Sequence, residues 1–383
     1  MQPDPRPPSP ADRACCRTMR SLRPRRYASA VSVLEPIPAA RHSLLDYLAM
    51  MSKAFYLWEL GLSKRDRNRK IRPFEWGTEF IKDGFPMKDP KSYLLEYARQ
   101  ALAHSDDYHS YATVHDYKLN GRHLSFSTPF PTSNPKNNTV HARYFPTRSR
   151  ERVVLVLPQW NADAKGHMSL CRLLNFYGLS ALRLSLPYHD LRMPEELARA
   201  DYMLSPNLGR TLQALRQAVI DARASLDWLQ KQGYTKFAIL GTSIGSCVAL
   251  ITMAHDHRLR LSVQNHMSPY FADVVWTGIS TRHVRAGLEG HITLEELRQI
   301  WLPISPRAYL KKLVGTGKTS LLVHALYDYS FLPHLSQIVL QDYKDLELAH
   351  SALAMQCGHY TSGKFPFSIF LGCAMCRYLC KNL

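Results

Sequence analysis

A serine lies on a short, glycine-flanked turn between an apolar strand-like run and an apolar helix-like run. The turn is Gly241-Thr242-Ser243-Ile244-Gly245, preceded by KFAIL and followed by SCVALITM. A turn this tight holds its central residue in strained torsions, and the glycines let neighbouring chain pass closely. The helix behind it directs N–H groups and a partial positive charge towards an anion formed at the serine. Ser243 is therefore the predicted nucleophile.

A serine hydroxyl needs a base to take its proton and an acid to orient that base. Asp328 follows the strand-like run LLVHALY, and His359 follows the short run ALAMQCG. Open α/β sheets place their chemistry at strand ends, so these two residues are the predicted acid and base. The competing candidates occupy polar, helix-like stretches in which a solvated side chain is the simpler interpretation: Asp342, Asp345, Glu347 and His350.

Alternating strands and helices must position these residues. The run VVLVL is followed by a helix-like stretch at 167–177, the strand-like run LSALRLSL and helical patterns between 194 and 231. This alternation predicts an α/β fold, with a mostly parallel central sheet and helices on both faces. Antiparallel-type strands between 115 and 145 precede it, so we expect a mixed sheet. Aromatic and helical residues at 268–314 interrupt the alternation as a lid-like insertion.

The chain from about Val114 to its C-terminus resembles the α/β-hydrolase superfamily. The resemblance rests on GTSIG at the turn, YDYSFLP around Asp328 and CGHYTSG around His359. It implies hydrolysis of an ester, thioester or amide through an acyl-enzyme, with neither metal nor organic cofactor. Serine at the nucleophile position, in place of Asp, argues against the dehalogenase and epoxide-hydrolase branches.

The resemblance also implies backbone N–H groups that bind the oxyanion. The N–H of Ile244, which follows the nucleophile, is one predicted donor. Many members carry His-Gly after the third strand, whereas this chain has LPQWNAD there. Proline has no N–H, so the second donor is predicted to be Gln159 or Trp160.

Three further residues are candidates for the substrate pocket. His189 in LPYHD and His266 in QNHMSP both follow predicted strands, and a structural role is as open as a pocket role for each. Thr242 adjoins the nucleophile. The insertion at 268–314 resembles the lid that sets substrate choice in many α/β hydrolases, and simple helical packing is its alternative.

Two other patterns point to different chemistry. GTGKTSLL at 315–322 resembles the end of a phosphate-binding loop, but Lys312 stands where that motif requires glycine and no apolar strand precedes it. Cys373, Cys376 and Cys380 lack the second pair that a strong zinc site needs, and their spacing favours one buried helix face. A nucleotide-binding protein and a catalytically silent binding module remain the alternatives to an esterase-like hydrolase.

The formal net charge of +18 is concentrated near the N-terminus. We predict a disordered basic tail at 1–42, a helical arm at 43–113 and the α/β-hydrolase domain at 114–383. Without an aromatic-interleaved basic motif we expect no specific nucleic-acid partner, although the basic region could contact an anionic surface. The expected partner is a small-molecule ester. A cytoplasmic location is expected because no apolar signal segment is found, while transit-peptide character at 13–33 leaves an organelle open.

Overall fold

The computed structural model describes residues 38–66, 68–81 and 88–383, with side chains from residue 50 onward. The chain divides into two compact units, 1–49 and 50–383. Most of the first unit lies outside the described residues, and with it most of the tail predicted at 1–42. Its described part is the beginning of helix α1, Pro38–Ser63. The predicted anionic-surface contact of this basic region stays a prediction.

Nine strands of the second unit form a single mixed sheet. In chain order they are β1 (Lys118–Asn120), β2 (His123–Ser127), β3 (Thr139–Phe145), β4 (Arg152–Leu157), β5 (Ser180–Leu184), β6 (Lys236–Thr242), β7 (Leu259–Asn265), β8 (Thr319–Ala325) and β9 (His350–Met355). Across the sheet the order is β1-β2-β3-β5-β4-β6-β7-β8-β9. The pairs β1–β2, β2–β3 and β3–β5 are antiparallel, and the remaining pairs are parallel.

Helices connect the parallel strands and cover both faces of the sheet. After α1 they are α2 (Pro90–Ala103), α3 (Ser105–Tyr108), α4 (Met168–Phe176), α5 (Leu208–Lys231), α6 (Ile244–His255), α7 (Phe271–Thr277), α8 (Arg282–Leu288), α9 (Leu294–Ile300), α10 (Pro333–Asp345) and α11 (Phe367–Asn382). Short 3₁₀ helices lie at Thr78–Phe80, Pro135–Asn138, Asp190–Arg192, Leu302–Ile304, Pro306–Leu313 and Thr361–Gly363. None of the described helices combines the length and hydropathy needed to cross a membrane.

The central strands are apolar on both faces because helices cover both. In β6, Phe237 and Ile239 belong to one core cluster, while Ala238 and Leu240 belong to the cluster on the opposite face. This alternation follows from the two-residue period of a strand. It places the C-terminal end of β6 between two packed layers, which fixes the turn at Ser243.

Both segments that precede or interrupt the alternation contribute to the main core. Leu94 of α2 is fully buried in the cluster that also holds helix α5. In the insertion at 268–314, Trp301 is fully buried, and its indole N–H donates to the carbonyl of Leu208 at 3.3 Å. These helices therefore pack as part of the domain and cover the sheet on the side of α5 and α6.

Candidate active site

Ser243 occupies a strained turn between β6 and α6. Its backbone has φ 57° and ψ −121°, and its N–H donates to the carbonyl of Asn265 at 2.8 Å. A Cβ on Gly241 would lie 2.1 Å from the carbonyl oxygen of Gly245, and a Cβ on Gly245 would lie 2.4 Å from the carbonyl oxygen of Leu157. Both glycines are therefore required by close backbone approach, which is the role that the sequence predicted for them.

Asp328 and His359 form a hydrogen-bonded pair. Asp328 follows β8 and is almost fully buried, and its Oδ1 accepts the N–H groups of Ser330 and Phe331 at 2.7 Å each. Its Oδ2 lies 3.2 Å from His359 Nδ1. A carboxylate can only accept, so Nδ1–H donates and Nε2 is left to exchange a proton. Phe331 stacks on the imidazole at 5.3 Å and fixes its plane.

Ser243, His359 and His266 line one open cleft, together with Gln159, Trp160 and Thr242. The predicted nucleophile and base thus face the same space, and Asp328 lies behind the base. Thr242 Oγ1 is 3.0 Å from His167 Nε2, so this threonine joins the cleft wall to helix α4. Of the three predicted pocket residues, Thr242 and His266 are in the cleft lining.

Besides lining the cleft, His266 contacts Asp328, which the sequence did not predict. Its Nδ1 lies 2.8 Å from Asp328 Oδ2, the same oxygen that accepts from His359. Its Nε2 is 3.2 Å from Ser362 Oγ, and that hydroxyl also lies 2.7 Å from the carbonyl oxygen of His359. The only sequence signal for this role was the position of His266 at the end of β7, beside the strand that leads to Asp328.

The surroundings of His359 and His266 shift the pKa values of the two imidazoles in opposite directions. Burial disfavours a charged His359, but the charge of Asp328, their hydrogen bond and the charge of Glu59 outweigh it and raise the pKa of His359. Burial and the charge of His359 lower the pKa of His266. Burial would raise the pKa of Asp328, but the charge of His359 and the hydrogen bonds from both rings hold it well below its usual range. His359 is therefore the more basic imidazole.

The same three residues, His266, Asp328 and His359, are a group of possible metal ligands in the described part of the chain, with ligand atoms within 4.8 Å of one another. The contacts of 2.8 and 3.2 Å between nitrogen and Oδ2 have the length of hydrogen bonds. Two imidazole N–H groups that donate to one carboxylate oxygen account for the arrangement.

Glu59 of helix α1 holds the loop that carries His359. Its side chain is fully buried, and its carboxylate oxygens accept the N–H groups of Tyr360 at 2.9 Å and Thr361 at 2.8 Å. A Cβ on Gly358 would lie 2.4 Å from the Glu59 carboxyl carbon. A helix that the sequence analysis placed in an N-terminal arm thus contacts the loop that carries His359.

His189 lies behind the loop that follows β4 and is fully buried, outside the cleft lining. Its Nε2 accepts the N–H of Asn161 at 2.9 Å, and its Nδ1 donates to the carbonyl of Pro187 at 2.8 Å. Burial lowers the pKa of His189 to about 4, which keeps the ring neutral so that Nε2 can accept. This histidine positions the backbone of the loop instead of lining the pocket.

The loop after β4 also carries the predicted second oxyanion donors. The Trp160 indole N–H donates to the carbonyl of Ala200 at 3.0 Å, and the Arg199 guanidinium lies 4.9 Å over the Trp160 ring. Within the described residues, neither the Gln159 nor the Trp160 backbone N–H has a hydrogen-bond partner. Ile244 begins α6, where the N–H groups of the first turn have no acceptor inside the helix.

No family model and no curated protein sequence matches this chain. Solved structures do match. Acetyl xylan esterase 1 from Thermoanaerobacterium sp. superposes with a TM-score of 0.54 at 13% identity, covering 79% of this chain and 96% of that one. The acylaminoacyl peptidase of Pyrococcus horikoshii gives a TM-score of 0.52 at 13% identity over 71% of this chain, which spans 42% of the peptidase. The chain has the α/β-hydrolase fold.

The α/β-hydrolase fold confirms the predicted architecture: a mostly parallel sheet with helices on both faces. The structure also explains the GTGKTSLL segment and the C-terminal cysteines by packing and capping. Lys318 of GTGKTSLL is buried, and its ammonium group donates to the carbonyls of Met253 at 2.5 Å and Asp256 at 2.9 Å. It caps the C-terminus of α6, as a cation does favourably. Cys376 is fully buried on one face of α11.

Proposed function

We propose that this chain is a serine hydrolase that cleaves a carboxylic ester or a thioester through an acyl-enzyme. One observation carries the proposal. Ser243, held on a turn with φ 57°, shares a cleft with His359, whose Nδ1 is bonded to the buried carboxylate of Asp328. These are the nucleophile, base and orienting acid that acyl transfer by serine requires.

In the acylation step, Ser243 Oγ forms a bond to the acyl carbon while His359 Nε2 takes the hydroxyl proton. The bond from the acyl carbon to the leaving oxygen or sulfur then breaks, and His359 gives its proton to that atom. Asp328 keeps Nδ1 protonated and stabilises the imidazolium. In deacylation, a water oxygen forms a bond to the acyl carbon while His359 Nε2 takes a proton from that water. The bond between the acyl carbon and Ser243 Oγ then breaks, His359 returns the proton to Oγ, and the free acid leaves. Every proton transfer uses a group of this chain or of water.

The tetrahedral intermediate carries a negative oxygen that needs fixed donors. The Ile244 N–H at the start of α6 is one, supported by the partial positive charge of the helix N-terminus. The second is the backbone N–H of Gln159 or Trp160, in the loop whose next residue, Asn161, is held by His189. A buried neutral histidine thus supports the donors without contacting substrate.

A fluorophosphonate probe tests the proposal because it reacts covalently with activated serines. We expect the purified chain to be labelled, Ser243→Ala to be unlabelled and inactive on p-nitrophenyl esters, and Ser351→Ala to behave as wild type. Ser351 is an exposed serine of β9, so it controls for the substitution itself. Circular dichroism confirms that both variants are folded.

Two results would contradict the proposal. If the folded wild type is neither labelled nor active on esters and thioesters, the proposed hydrolase is wrong. A binding role for the same cleft then takes its place. Labelling that survives Ser243→Ala would move the nucleophile to another residue.

A further inference from the structure

Two cavities of different character meet at Ser243. The first is the open cleft that holds His359. The second is a narrow, mostly apolar pocket with a cavity volume of about 50 Å³. Ser243, Trp160 and Ser280 line both. A substrate attacked by Ser243 therefore has two places for its two ends.

The pocket follows helix α6 away from the nucleophile. Ile244, Cys247 and Leu250 lie on successive turns of that helix and line one wall, and Phe271 and Val275 of α7 are among the residues lining the rest. From Ile244 to Leu250 the helix rises about 9 Å. Such a narrow apolar space suits an extended hydrocarbon chain.

The position of His359, which must protonate the leaving atom, determines which end of the substrate enters the pocket. When the acyl-enzyme forms, the leaving atom must receive its proton from His359. His359 lines the open cleft and is not among the residues that line the pocket. The leaving group must therefore extend into the cleft, which leaves the pocket for the acyl chain.

The cleft suits a different kind of group. Its cavity volume is about 770 Å³, against about 50 Å³ for the pocket. Its lining mixes polar side chains, including those of Asn161, His167 and Thr242, with apolar ones such as Leu173 and Met375. A bulky leaving group fits there, and its polar atoms can hydrogen-bond to the polar side chains of the lining.

We infer that the substrate is an ester or thioester of an aliphatic acid of medium chain length, hexanoyl to octanoyl, with a bulky alcohol or thiol as the leaving group. The acyl chain lies along α6 in the pocket, and the leaving group lies in the cleft beside His359. This inference rests on the proposed serine hydrolase and adds the class and orientation of its substrate.

A chain-length series at a constant leaving group tests the pocket. With p-nitrophenyl acetate, butyrate, hexanoate, octanoate and palmitate, we expect kcat/KM to be highest at hexanoate or octanoate. Leu250→Phe fills the pocket and should lower kcat/KM for octanoate by tenfold or more relative to acetate, about the discrimination that one or more methylenes provide. Val275→Phe reduces the pocket from another element and should act in the same direction, so misfolding of one variant leaves the other informative.

Leu170→Phe is the matched control because Leu170 lines the cleft and is absent from the pocket lining. It should leave the ratio of octanoate to acetate unchanged. A wild type that prefers acetate or palmitate, or pocket variants that lower all esters equally, would overturn the inference. Labelling of Ser243 by a fluorophosphonate with a short alkyl group separates the two levels: labelling with no chain-length preference refutes the acyl pocket alone, and absence of labelling refutes the hydrolase itself.

Discussion

Replacing Glu59 by Gln changes one buried atom and tests how helix α1 supports the loop that carries His359. In the wild type the two carboxylate oxygens accept the N–H groups of Tyr360 and Thr361 at 2.9 and 2.8 Å. The amide of Gln offers one acceptor oxygen and turns its NH₂ group towards the other N–H. One buried backbone donor then has no acceptor, and the remaining hydrogen bond loses its charge.

The size of the effect follows from these two bonds. A buried donor left unsatisfied costs about 1–3 kcal/mol, and hydrogen bonds to charged groups exceed neutral ones by about 1 kcal/mol. We therefore expect Glu59→Gln to lower the free energy of unfolding by about 2–4 kcal/mol. The charge of Glu59 also helps to raise the pKa of His359. Its removal lowers that pKa, so His359, the proposed base, stays neutral to lower pH.

Urea unfolding measures the first effect, and the pH dependence of ester hydrolysis or probe labelling measures the second. We expect a lower urea midpoint with an unchanged slope, and an acid limb shifted to lower pH. Glu196→Gln is the matched control because Glu196 is exposed. If Glu59→Gln unfolds within about 0.5 kcal/mol of the control, the range of an inert surface change, and its acid limb does not move, the assigned role of Glu59 is refuted.

Two further perturbations test the same machinery. Because the pKa of His359 is raised above its ordinary value, the acid limb of wild-type kcat/KM should lie above pH 6.5, and a limb below pH 6 would contradict the raised pKa. Asp328→Asn should lower kcat by about 10³–10⁴-fold because the imidazole loses its orienting carboxylate. His189→Leu removes the acceptor of the Asn161 N–H and should lower kcat by about tenfold or more through the oxyanion loop, while the acid limb stays in place. His257→Leu at an exposed position is its control, and equal activity of the two variants would remove His189 from the account.

The parts of the site that the sequence predicted are those that local chain geometry produces. An apolar run, a GTSIG turn and an apolar helix form one continuous segment, and the structure has β6, Ser243 at positive φ and α6 there. Asp328 and His359 were identified from their positions after strand-like runs. The carboxyl ends of parallel strands meet at one edge of a sheet, so that position alone brings the two side chains together.

The parts that the sequence did not predict depend on contacts between distant segments. Glu59 lies within the helical arm predicted at 43–113, and nothing local in the sequence marks it out. Only tertiary packing brings it to Tyr360. Likewise, nothing local distinguishes a histidine that lines a pocket from one that supports a loop, as His189 does. The helical pattern expected from residue 194 becomes regular helix only at Leu208, since Asn207 caps the first turn by accepting the Arg210 N–H at 2.9 Å.

In the proposed hydrolase, the strained turn at Ser243 lowers the stability of the fold at the residue that would react with substrate. A residue with a Cβ held at φ 57° and ψ −121° costs about 1–3 kcal/mol, a noticeable share of the roughly 5–15 kcal/mol that holds a typical domain together. Glycine at this position would recover part of that free energy while leaving the apolar pocket and the cleft intact for binding. Selection of variants for thermal stability alone would therefore favour an inert glycine protein, whereas selection for turnover would preserve the strain.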